Sequence, residues 1–590
     1  MKFGYSVFFI ACIIIFSLSC YYYYPFISDD SLISLRYVQR FIEGKGLNWT
    51  DGKPVEGYSN LLWILIISAL GKMGVGLILS VRIVGFFCSI GTIGVILNYF
   101  RKQNIRKDYV FFAVLLLVTT PCFAVWAIGG LEQPLYILLL TLAIVEVLHI
   151  INTRNLKRVY HLSLWLGLLA LTRPDGFLFT ILAAAFLLFI NRNNTSGLLK
   201  LLLSVVCIPS MFVLAQLAFR YSYYGELVPN TALVKVKISL HHILRGGFYS
   251  VKAFLGTALF SGLGLYFLYI LSVKKQNLSG LYLLLNVAVW TLYITLVGGD
   301  IFPAFRHYYV ILIFFVFAII LGLQTLKPIN TYNKKTLPIL IVLFLANVWL
   351  QTLFPDNRNV KEEVWEFRGM HLGEKLKNIF PSTTLIAVTA SGCIPYSSEL
   401  PAIDMLGLND YYTPRHPPAN FGTGALAHEL GDARYILKRN PDIIIFNTGG
   451  VLNFNIGEQL KVNKSFNDNF IKILATEGDS KYILFFNKYG KNGGIKESSN
   501  ELRIPGYLLQ NKKDTISVFT DRKLLKRMQK GNSYTILMDH IPQKNWMVKL
   551  EQQQSRDFST EIQYKNKQLE VIVIPKKELL LESLVLQGKD

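Results

Sequence analysis

Long apolar stretches alternate with short polar segments in the first part of the chain, and this pattern stops at residue 354. The stretches are mostly about 17–22 residues long, the length of helix that crosses ~30 Å of hydrocarbon. No such stretch follows residue 355. The pattern predicts a polytopic α-helical membrane domain at 1–354 with about eleven spans, at 3–24, 81–100, 109–127, 134–151, 160–171, 174–190, 198–219, 250–272, 278–297, 308–326 and 337–354.

Two apolar segments, 60–70 and the predicted span at 160–171, are shorter than a regular span. The segment 60–70 is predicted to lie or dip at the membrane interface. The segment 160–171 is only about 18 Å long as a helix. Arg173 and Asp175, which follow it, are therefore expected below the membrane surface, where a charge is costly and indicates function. A turn with a local ion pair is the alternative interpretation of these two residues.

A polar first loop, residues 28–60, separates the first span from the next apolar segment. Ser28 is predicted to cap a helix that carries Asp29 and Asp30 in its first turn. Apolar residues then recur at helical spacing up to residue 42, with Arg36, Gln39, Arg40 and Glu43 on the opposite face. This spacing predicts an amphipathic helix in the membrane interface.

The chain after residue 354 reads as a soluble part with two kinds of pattern. Residues 355–500 alternate helical and strand-like segments, such as 373–380, 384–389, 435–439 and 442–446, which predicts an α/β domain. Residues 501–590 hold short alternating strands such as 534–538, 546–550 and 569–574, which predict a β-sandwich. A carbohydrate-binding module is one interpretation of this last segment.

The net charge of +22 invites a nucleic-acid function, but its distribution favours a membrane topology signal. Most of the excess lies in the membrane part, in short basic loops such as 101–107, 154–158 and 327–335. By the positive-inside rule these loops and the N-terminus are cytoplasmic, and the C-terminal domain is extracytoplasmic. We therefore expect no nucleic-acid partner. Walker-loop, GxSxG, GxGxxG and zinc-ligand spacings are absent from the sequence.

Several acidic and basic residues fall at predicted ends of spans. Asp29 and Asp30 are candidates for acid–base chemistry, although acids also favour a helix N-terminus through its dipole. Glu132 has a capping alternative, and the pair Arg306–His307 could instead extend to the interface as snorkelling side chains. His307 and Arg306 stand close in sequence to Asp300, at the mouth of a helix.

The chain resembles the GT-C superfamily of polyprenyl-phosphate-sugar-dependent glycosyltransferases, and most closely the terminal β-(1→2)-arabinofuranosyltransferase family. The resemblance covers most of 20–450. It rests on seven short motifs of the membrane part and one of the soluble part: DDSLISLRY at 29–37, GKGLNW at 44–49, VEGYSNLLW at 55–63, GLEQPL at 130–135, LTRPDG at 171–176, YYGELVPNT at 223–231, GGD at 298–300 and IDMLGLND at 403–410.

This resemblance implies a GT-C fold, an active site on the outer face, and Asp29 and Asp30 as catalytic acids. A divalent cation held by Asp29 and Asp30 is left open. We predict that substrate contacts come from a larger set of polar residues: Arg36, Glu56, Tyr58, Asn60, Glu132, Arg173, Asp175, Asn230, Lys235 (or Lys237), Asp300, Arg306, His307, Asp404 and Asp410.

The function predicted is transfer of one sugar from a polyprenyl-phosphate donor in the bacterial cytoplasmic membrane. The sugar is arabinofuranose or another pentose or hexose, and the acceptor is an envelope polysaccharide or a glycolipid. Two alternatives remain: a flippase or transporter of the lipid-linked sugar, and a ligase that moves a preassembled glycan. A transporter commonly shows internal repeats, and none is visible in this sequence.

Overall fold

The computed structural model describes residues 4–193, 195–235, 239–326, 336–511, 515–539, 541–551, 557–565 and 568–589. The described chain forms two compact units. The first comprises 1–49, 54–364 and 420–426, and the second comprises 50–53, 365–419 and 427–590. The predicted basic loop at 327–335 lies outside the described residues.

The first unit is helical. Its helices in chain order are α1 Tyr5–Tyr22, α2 Asp29–Ile42, α3 Leu61–Lys72, α4 Leu77–Lys102, α5 Lys107–Val118, α6 Pro121–Ile128, α7 Gln133–Thr153, α8 Val159–Thr172, α9 Phe177–Ile190, α10 Thr195–Tyr224, α11 Asn230–Lys235, α12 Leu240–Gly256, α13 Ala258–Tyr269, α14 Leu278–Leu296, α15 Tyr309–Leu326, α16 Thr336–Thr352 and α17 Pro355–Arg358.

Six helices in the described part of the chain are long and apolar enough to cross a membrane, against about eleven predicted. They are α1, α4, α7, α10, α14 and the helix ending with α15; three bent pairs would raise the number to nine. The predicted spans at 160–171 and 174–190 form helices α8 and α9 of 14 residues each. Both helices are shorter than a full span, which agrees with the prediction for the helix that precedes Arg173.

The prediction of one continuous span at 250–272 is wrong. Helix α12 ends at Gly256, and α13 begins at Ala258 after a bend of 102°. Ala258 has φ +47°, a left-handed conformation that interrupts any helix. Residues 250–256 therefore belong to a separate helix, which starts at Leu240, well before the predicted span.

Helix α15 forms the centre of the first unit. Every residue from Tyr309 to Ile320 is buried, and a helix that is apolar on all sides is stable only when other elements surround it. The segment that leads into α15 is consequently held against the most buried part of the unit.

The second unit contains five helices and all of the described strands. The helices are α18 Trp365–Ile379, α19 Cys393–Ser398, α20 Ala433–Lys438, α21 Phe454–Lys461 and α22 Lys464–Asn469. The strands are β1 Ile386–Val388, β2 Ala402–Asp404, β3 Ile443–Ile445, β4 Phe470–Glu477, β5 Ser480–Asn487, β6 Lys496–Glu497, β7 Glu501–Pro505, β8 Ile516–Phe519, β9 Leu524–Met528, β10 Tyr534–Asp539, β11 Asn545–Leu550, β12 Phe558–Lys565, β13 Gln568–Pro575, β14 Leu579–Leu581 and β15 Ser583–Lys589.

An eight-stranded sheet dominates the second unit, in the order β14-β9-β8-β4-β5-β3-β1-β2. Strand β1 pairs in parallel with β2 and β3, so the predicted strands at 384–389 and 442–446 lie side by side. The same sheet continues into β8, β9 and β14, which come from beyond residue 500. Two smaller sheets, β10-β13-β12 and β11-β15-β7-β6, complete the β-rich part and contain the other strands predicted there.

Candidate active site

The two predicted acids lie at the start of α2, as the sequence indicated. Ser28 caps the helix by accepting a hydrogen bond from the Ser31 backbone N–H at 3.3 Å. The Ser28 backbone N–H donates to the Gly129 carbonyl at 3.1 Å, which fixes this helix end against the loop before α7. Gly130 has φ +92°, and a Cβ there would lie 2.6 Å from Ser31 Oγ. Only glycine allows this close approach, which brings half-buried Asp29 and Asp30 next to the loop that carries Glu132.

Glu132 is the acceptor at the centre of a buried network. One carboxylate oxygen accepts from Arg173 Nη1 at 2.7 Å and from Gln133 Nε2 at 3.2 Å. The other accepts from Asn60 Nδ2 at 2.8 Å. Glu132 is only 2% exposed. A buried carboxylate that accepts hydrogen bonds from three side chains is held in place, so Glu132 orients Arg173.

Arg173 is held on both sides by carboxylates. Its Nε and Nη2 contact Asp175, with the Nη2–Oδ2 distance at 2.7 Å, while Nη1 contacts Glu132. Asp175 also accepts from the Tyr293 hydroxyl on α14 at 3.1 Å. The local ion pair expected as the alternative is therefore present, and it is one part of a larger chain of interactions. All three guanidinium nitrogens are occupied, which fixes the position of the positive charge.

A second ion pair forms in the turn between α14 and α15. Arg306 contacts Asp300 through two parallel bonds, Nε–Oδ2 at 2.7 Å and Nη2–Oδ1 at 2.9 Å. Burial alone would raise the pKa of Asp300, but the adjacent Arg306 guanidinium outweighs it and holds that pKa below its usual range. Asp300 is therefore a carboxylate at neutral pH.

Unusual backbone conformations place this pair. Ala304 and Phe305 both have φ +53°, so two successive non-glycine residues lie in the left-handed region directly before Arg306. Such residues cost about 1–3 kcal/mol each and persist only where packing enforces them. Phe305 is buried and packs near Tyr249, which supplies that enforcement. Gly299, with φ +75°, passes so close to Tyr249 that a Cβ there would lie 2.6 Å from the tyrosine Cβ.

His307 is positioned through its backbone. Its N–H donates to the Tyr249 hydroxyl at 3.2 Å, and its carbonyl accepts from Trp290 Nε1 at 2.9 Å. The His307 ring nitrogen Nε2 lies 3.9 Å from Asp300 Oδ2. The imidazole thus stands beside the Asp300–Arg306 pair and is oriented by residues from α12 and α14.

Asp30 of α2 and the turn before α15 are near enough for their charges to interact. The charge of Asp30 acts on the Arg306 guanidinium, and the charges of Arg173 and Asp175 act on His307. The structure therefore brings together eight of the predicted residues, which alternate carboxylates with cationic and hydrogen-bonding groups: Asp30, Asn60, Glu132, Arg173, Asp175, Asp300, Arg306 and His307. Asp29 adjoins them at the same helix end.

Other predicted residues lie elsewhere in the first unit. Glu56 forms a buried ion pair with Arg220 at the end of α10, and its carbonyl accepts from the Asn230 N–H at 3.0 Å. The Tyr58 hydroxyl lies 3.2 Å from that of Tyr224. These contacts fasten the first loop to α10 and α11. The side chain of Lys235, and residue Lys237, lie outside the described residues.

Arg36 and Arg40 do not form the solvated face that the amphipathic pattern predicted. They are 2% and 5% exposed, and Arg36 Nε donates to the Trp49 carbonyl at 3.3 Å. Arg36 and Arg40 are therefore covered, whereas Gln39 is half-buried and Glu43 is exposed. The predicted role of Arg36 in substrate contact stays a prediction.

Two predicted residues belong to the second unit and serve their own loop. Asp404 accepts from the backbone N–H groups of Leu406, Gly407 and Asn409 at 2.8–3.2 Å. Asp410 accepts from Thr413 and from the Tyr435 hydroxyl at 2.8 Å. These bonds account for both carboxylates as loop-stabilising groups, and their substrate contacts stay predictions.

The neutral residues that orient the charged ones were not predicted from the sequence. Tyr293, Trp290 and Tyr249 lie within apolar helices, where an aromatic residue ordinarily indicates packing. Arg220 was missed as well; its signal was a charge at the end of a long apolar helix, the feature that had identified Arg173.

An apolar groove lies beside the turn before α15. Its volume is about 240 Å³, and it is bounded by α12, α13, α14 and α15. Its lining includes Tyr308, which follows His307, and Thr291, which follows Trp290. The groove and the charged site are therefore built on the same short segments.

No group of three or more His, Cys, Asp or Glu side chains with metal-ligand spacing occurs among the residues that the structure describes. Two carboxylates alone fall outside this criterion, so the possibility that Asp29 and Asp30 hold a divalent cation is not tested by it.

The chain is similar to two curated proteins named terminal β-(1→2)-arabinofuranosyltransferase. It is 24% identical over 391 residues to the Corynebacterium glutamicum protein, covering 59% of this chain and 54% of that one. It is 26% identical over 224 residues to the Mycobacterium tuberculosis protein, covering 35% of each. The chain thus matches about half or less of the length of these relatives. Residues 358–490 match a family model described as a domain of unknown function, DUF8728.

The fold is that of a solved glycosyltransferase. The structure of ArnT from Cupriavidus metallidurans bound to undecaprenyl phosphate superposes with a TM-score of 0.55 at 11% identity, covering 82% of this chain and 98% of ArnT. The protein is a multi-pass membrane protein with the GT-C fold and a β-rich C-terminal part, as the sequence predicted.

The Glu56–Arg220 pair allows a test of how the first loop is held. Arg220→Met should destabilise the protein by about 3–5 kcal/mol, because it leaves the Glu56 carboxylate buried without its partner. The double variant Glu56→Gln with Arg220→Met should recover most of that loss. Thermal unfolding in detergent measures both. Equal loss in the two variants would show that the packing of Arg220, and not the charge of Glu56, determines stability.

Proposed function

We propose that this protein is a membrane glycosyltransferase that moves one sugar from a polyprenyl-phosphate donor to a hydroxyl of an envelope glycan or glycolipid. The observation that carries the proposal is the interaction of the Asp30 charge with Arg306, which itself pairs with Asp300. This interaction supports a site that combines an acid able to take a proton with cations able to receive a phosphate. The printed names of the relatives and the bound undecaprenyl phosphate of ArnT support this chemistry.

The reaction divides between the two sides of the site. The acceptor oxygen bonds to the anomeric carbon while the bond from that carbon to the phosphate oxygen breaks. Asp29 takes the acceptor proton, and Asp30 orients Arg306 through its charge. Polyprenyl phosphate leaves with its negative charge stabilised by Arg306, His307 and the fixed charge of Arg173.

Arg306 is the better candidate for direct contact with the phosphate. Within the described residues its Nη1 makes no hydrogen bond, whereas every guanidinium nitrogen of Arg173 is bound to Glu132 or Asp175. Arg306 also packs over Phe302, with 4.6 Å to the ring centroid, which restricts its motion. A guanidinium held through two nitrogens presents the third in a defined direction.

The apolar groove suits the hydrocarbon chain of such a donor. It is lined almost entirely by apolar atoms, and it begins at Tyr308, one residue from His307. A polyprenyl chain in this groove would place its phosphate near the turn before α15. We propose that the site faces the outer side of the bacterial cytoplasmic membrane, as the predicted topology requires. Chelation with EDTA tests the alternative that Asp29 and Asp30 hold a divalent cation.

Asp29→Asn should lower the rate of transfer by about 10²–10⁴-fold, because the amide cannot accept the proton. The assay uses purified protein, a synthetic single-sugar polyprenyl-phosphate donor and an acceptor glycan. Glu43→Gln, the same change at the other end of α2, is the matched control and should retain activity. Full activity of Asp29→Asn would refute the assigned role. Absence of any product from the parent protein with this donor would favour the ligase or transporter alternative.

Arg306→Lys should lower the rate of transfer by about 10²-fold, since lysine cannot replace a two-bond guanidinium contact. Arg106→Lys is the matched control, because Arg106 makes a comparable two-bond contact with Asp108 away from the site. Equal effects of the two substitutions would indicate a structural role for Arg306.

Filling the groove should discriminate between donors by chain length. Thr291→Trp places a large ring in the groove and should raise KM for a long polyprenyl donor more than for a short one. Leu292→Trp, on the exposed face of the same helix, is the control and should change neither value. Equal increases for both donors with Thr291→Trp would place the chain elsewhere.

A further inference from the structure

Helix α12 has a buried face and, on another side, an exposed apolar stripe. His242, Gly246, Tyr249, Ala253 and Gly256 are buried against the first unit. The exposed stripe consists of large apolar residues at helical spacing that are all more than half exposed: Leu240, Leu244, Phe248, Val251 and Leu255. A continuous exposed apolar stripe of this kind requires an apolar partner.

Both ends of α12 meet the same end of the helical bundle. Near the start of α12, His242 packs against Gly298 in the loop after α14. A Cβ added to Gly298 would lie 3.5 Å from the His242 Cβ. At the last residue of α12, a Cβ on Gly256 would overlap the ring of Phe305, in the turn before α15. These two contacts are about 21 Å apart along the helix. A helix that crossed the bilayer would bring its ends to opposite ends of α14 and α15, whereas α12 crosses over one end of them.

The bend to α13 agrees with this arrangement. Helix α13 turns by 102° away from α12 and packs along α15, where Gly264 contacts Phe315 and Phe267 contacts Gly322. If α13 and α15 run across the membrane, then α12 runs nearly parallel to its surface. Its C-terminus is fixed there by Asn357, whose Nδ2 donates to the Gly256 carbonyl at 2.8 Å.

We propose that α12 lies flat in the membrane interface with its exposed stripe, Leu240 to Leu255, immersed in lipid. The partner is the bilayer itself, because α14, which packs against α12 at Gly246 and is long enough to span, also exposes large apolar residues. Interfacial helices of this type bury their apolar face about 5–10 Å into the boundary between headgroups and acyl chains. This inference is independent of the proposed reaction.

One consequence concerns the charged site. The face of α12 opposite the lipid carries Tyr249, which accepts from the His307 N–H and packs near Phe305. The depth of α12 in the membrane therefore fixes the level of the turn that holds Arg306. A lipid-anchored phosphate at the interface would meet this turn without leaving the headgroup region.

Depth measurement in nanodiscs tests the proposal. In a Cys207→Ser background the other five cysteines are buried, so single exposed cysteines can be labelled with a fluorophore. Leu244→Cys and Leu255→Cys lie about three helical turns apart on α12, and Leu281→Cys and Leu292→Cys have the same separation on α14. Quenching by lipids with a nitroxide near the headgroup or deep in the acyl chain reports the depth of each label.

We expect the two α12 labels to be quenched at equal, shallow depth, and the two α14 labels to differ by about 16 Å. A depth difference on α12 equal to that on α14 would show that α12 spans the membrane. Absence of quenching on α12 would show that water or protein covers the stripe. Either result overturns the proposal. Leu240→Cys with Val251→Cys, a pair with the same separation along α12, repeats the measurement if a label at the first pair disturbs the fold.

Discussion

Charge neutralisation inside an apolar bundle is the constraint on which this molecule depends. Arg173, whose side chain is 16% exposed, is acceptable at its position because Glu132 and Asp175 contact all of its guanidinium nitrogens. The same holds for Arg306 with Asp300. Removal of one member would leave an uncompensated charge away from water, which costs far more than the pair contributes. Each ion pair is thus both a condition of folding and the source of the fixed charges available for chemistry.

These pairs also connect elements that are distant in sequence. Glu132 precedes α7, Arg173 follows α8, Tyr293 belongs to α14, and Asp300 precedes α15. The network therefore fixes the ends of four helices relative to one another. The Glu56–Arg220 pair has the corresponding role for the first loop and α10. Such connections explain why the charged residues of these pairs lie at or near helix ends.

The sequence predicted the parts of this arrangement that depend on local rules. Helix-capping chemistry predicted the Ser28 cap and the acids of the first turn. The cost of a charge at membrane depth marked the charged residues at 173–175 and 300–307 as functional candidates. Which charged residues pair with each other could not be predicted, because the sequence alone presents Arg36, Glu56 and Arg306 as equally plausible substrate-binding residues. Arg36 is covered by its own loop, Glu56 meets Arg220, and Arg306 meets Asp300. The break at 257–258 was also missed, because an apolar composition does not reveal a left-handed residue within a predicted helix.

The setting of α15 gives the two walls of the site unequal mobility. Arg306 and His307 precede a helix that is enclosed on every side, and two left-handed residues lock their approach to it. Asp29 and Asp30 stand on the half-buried first turn of α2. In the proposed site, Asp29 and Asp30 are consequently the residues that can adjust to differently shaped molecules. Arg306 and His307 form its rigid part.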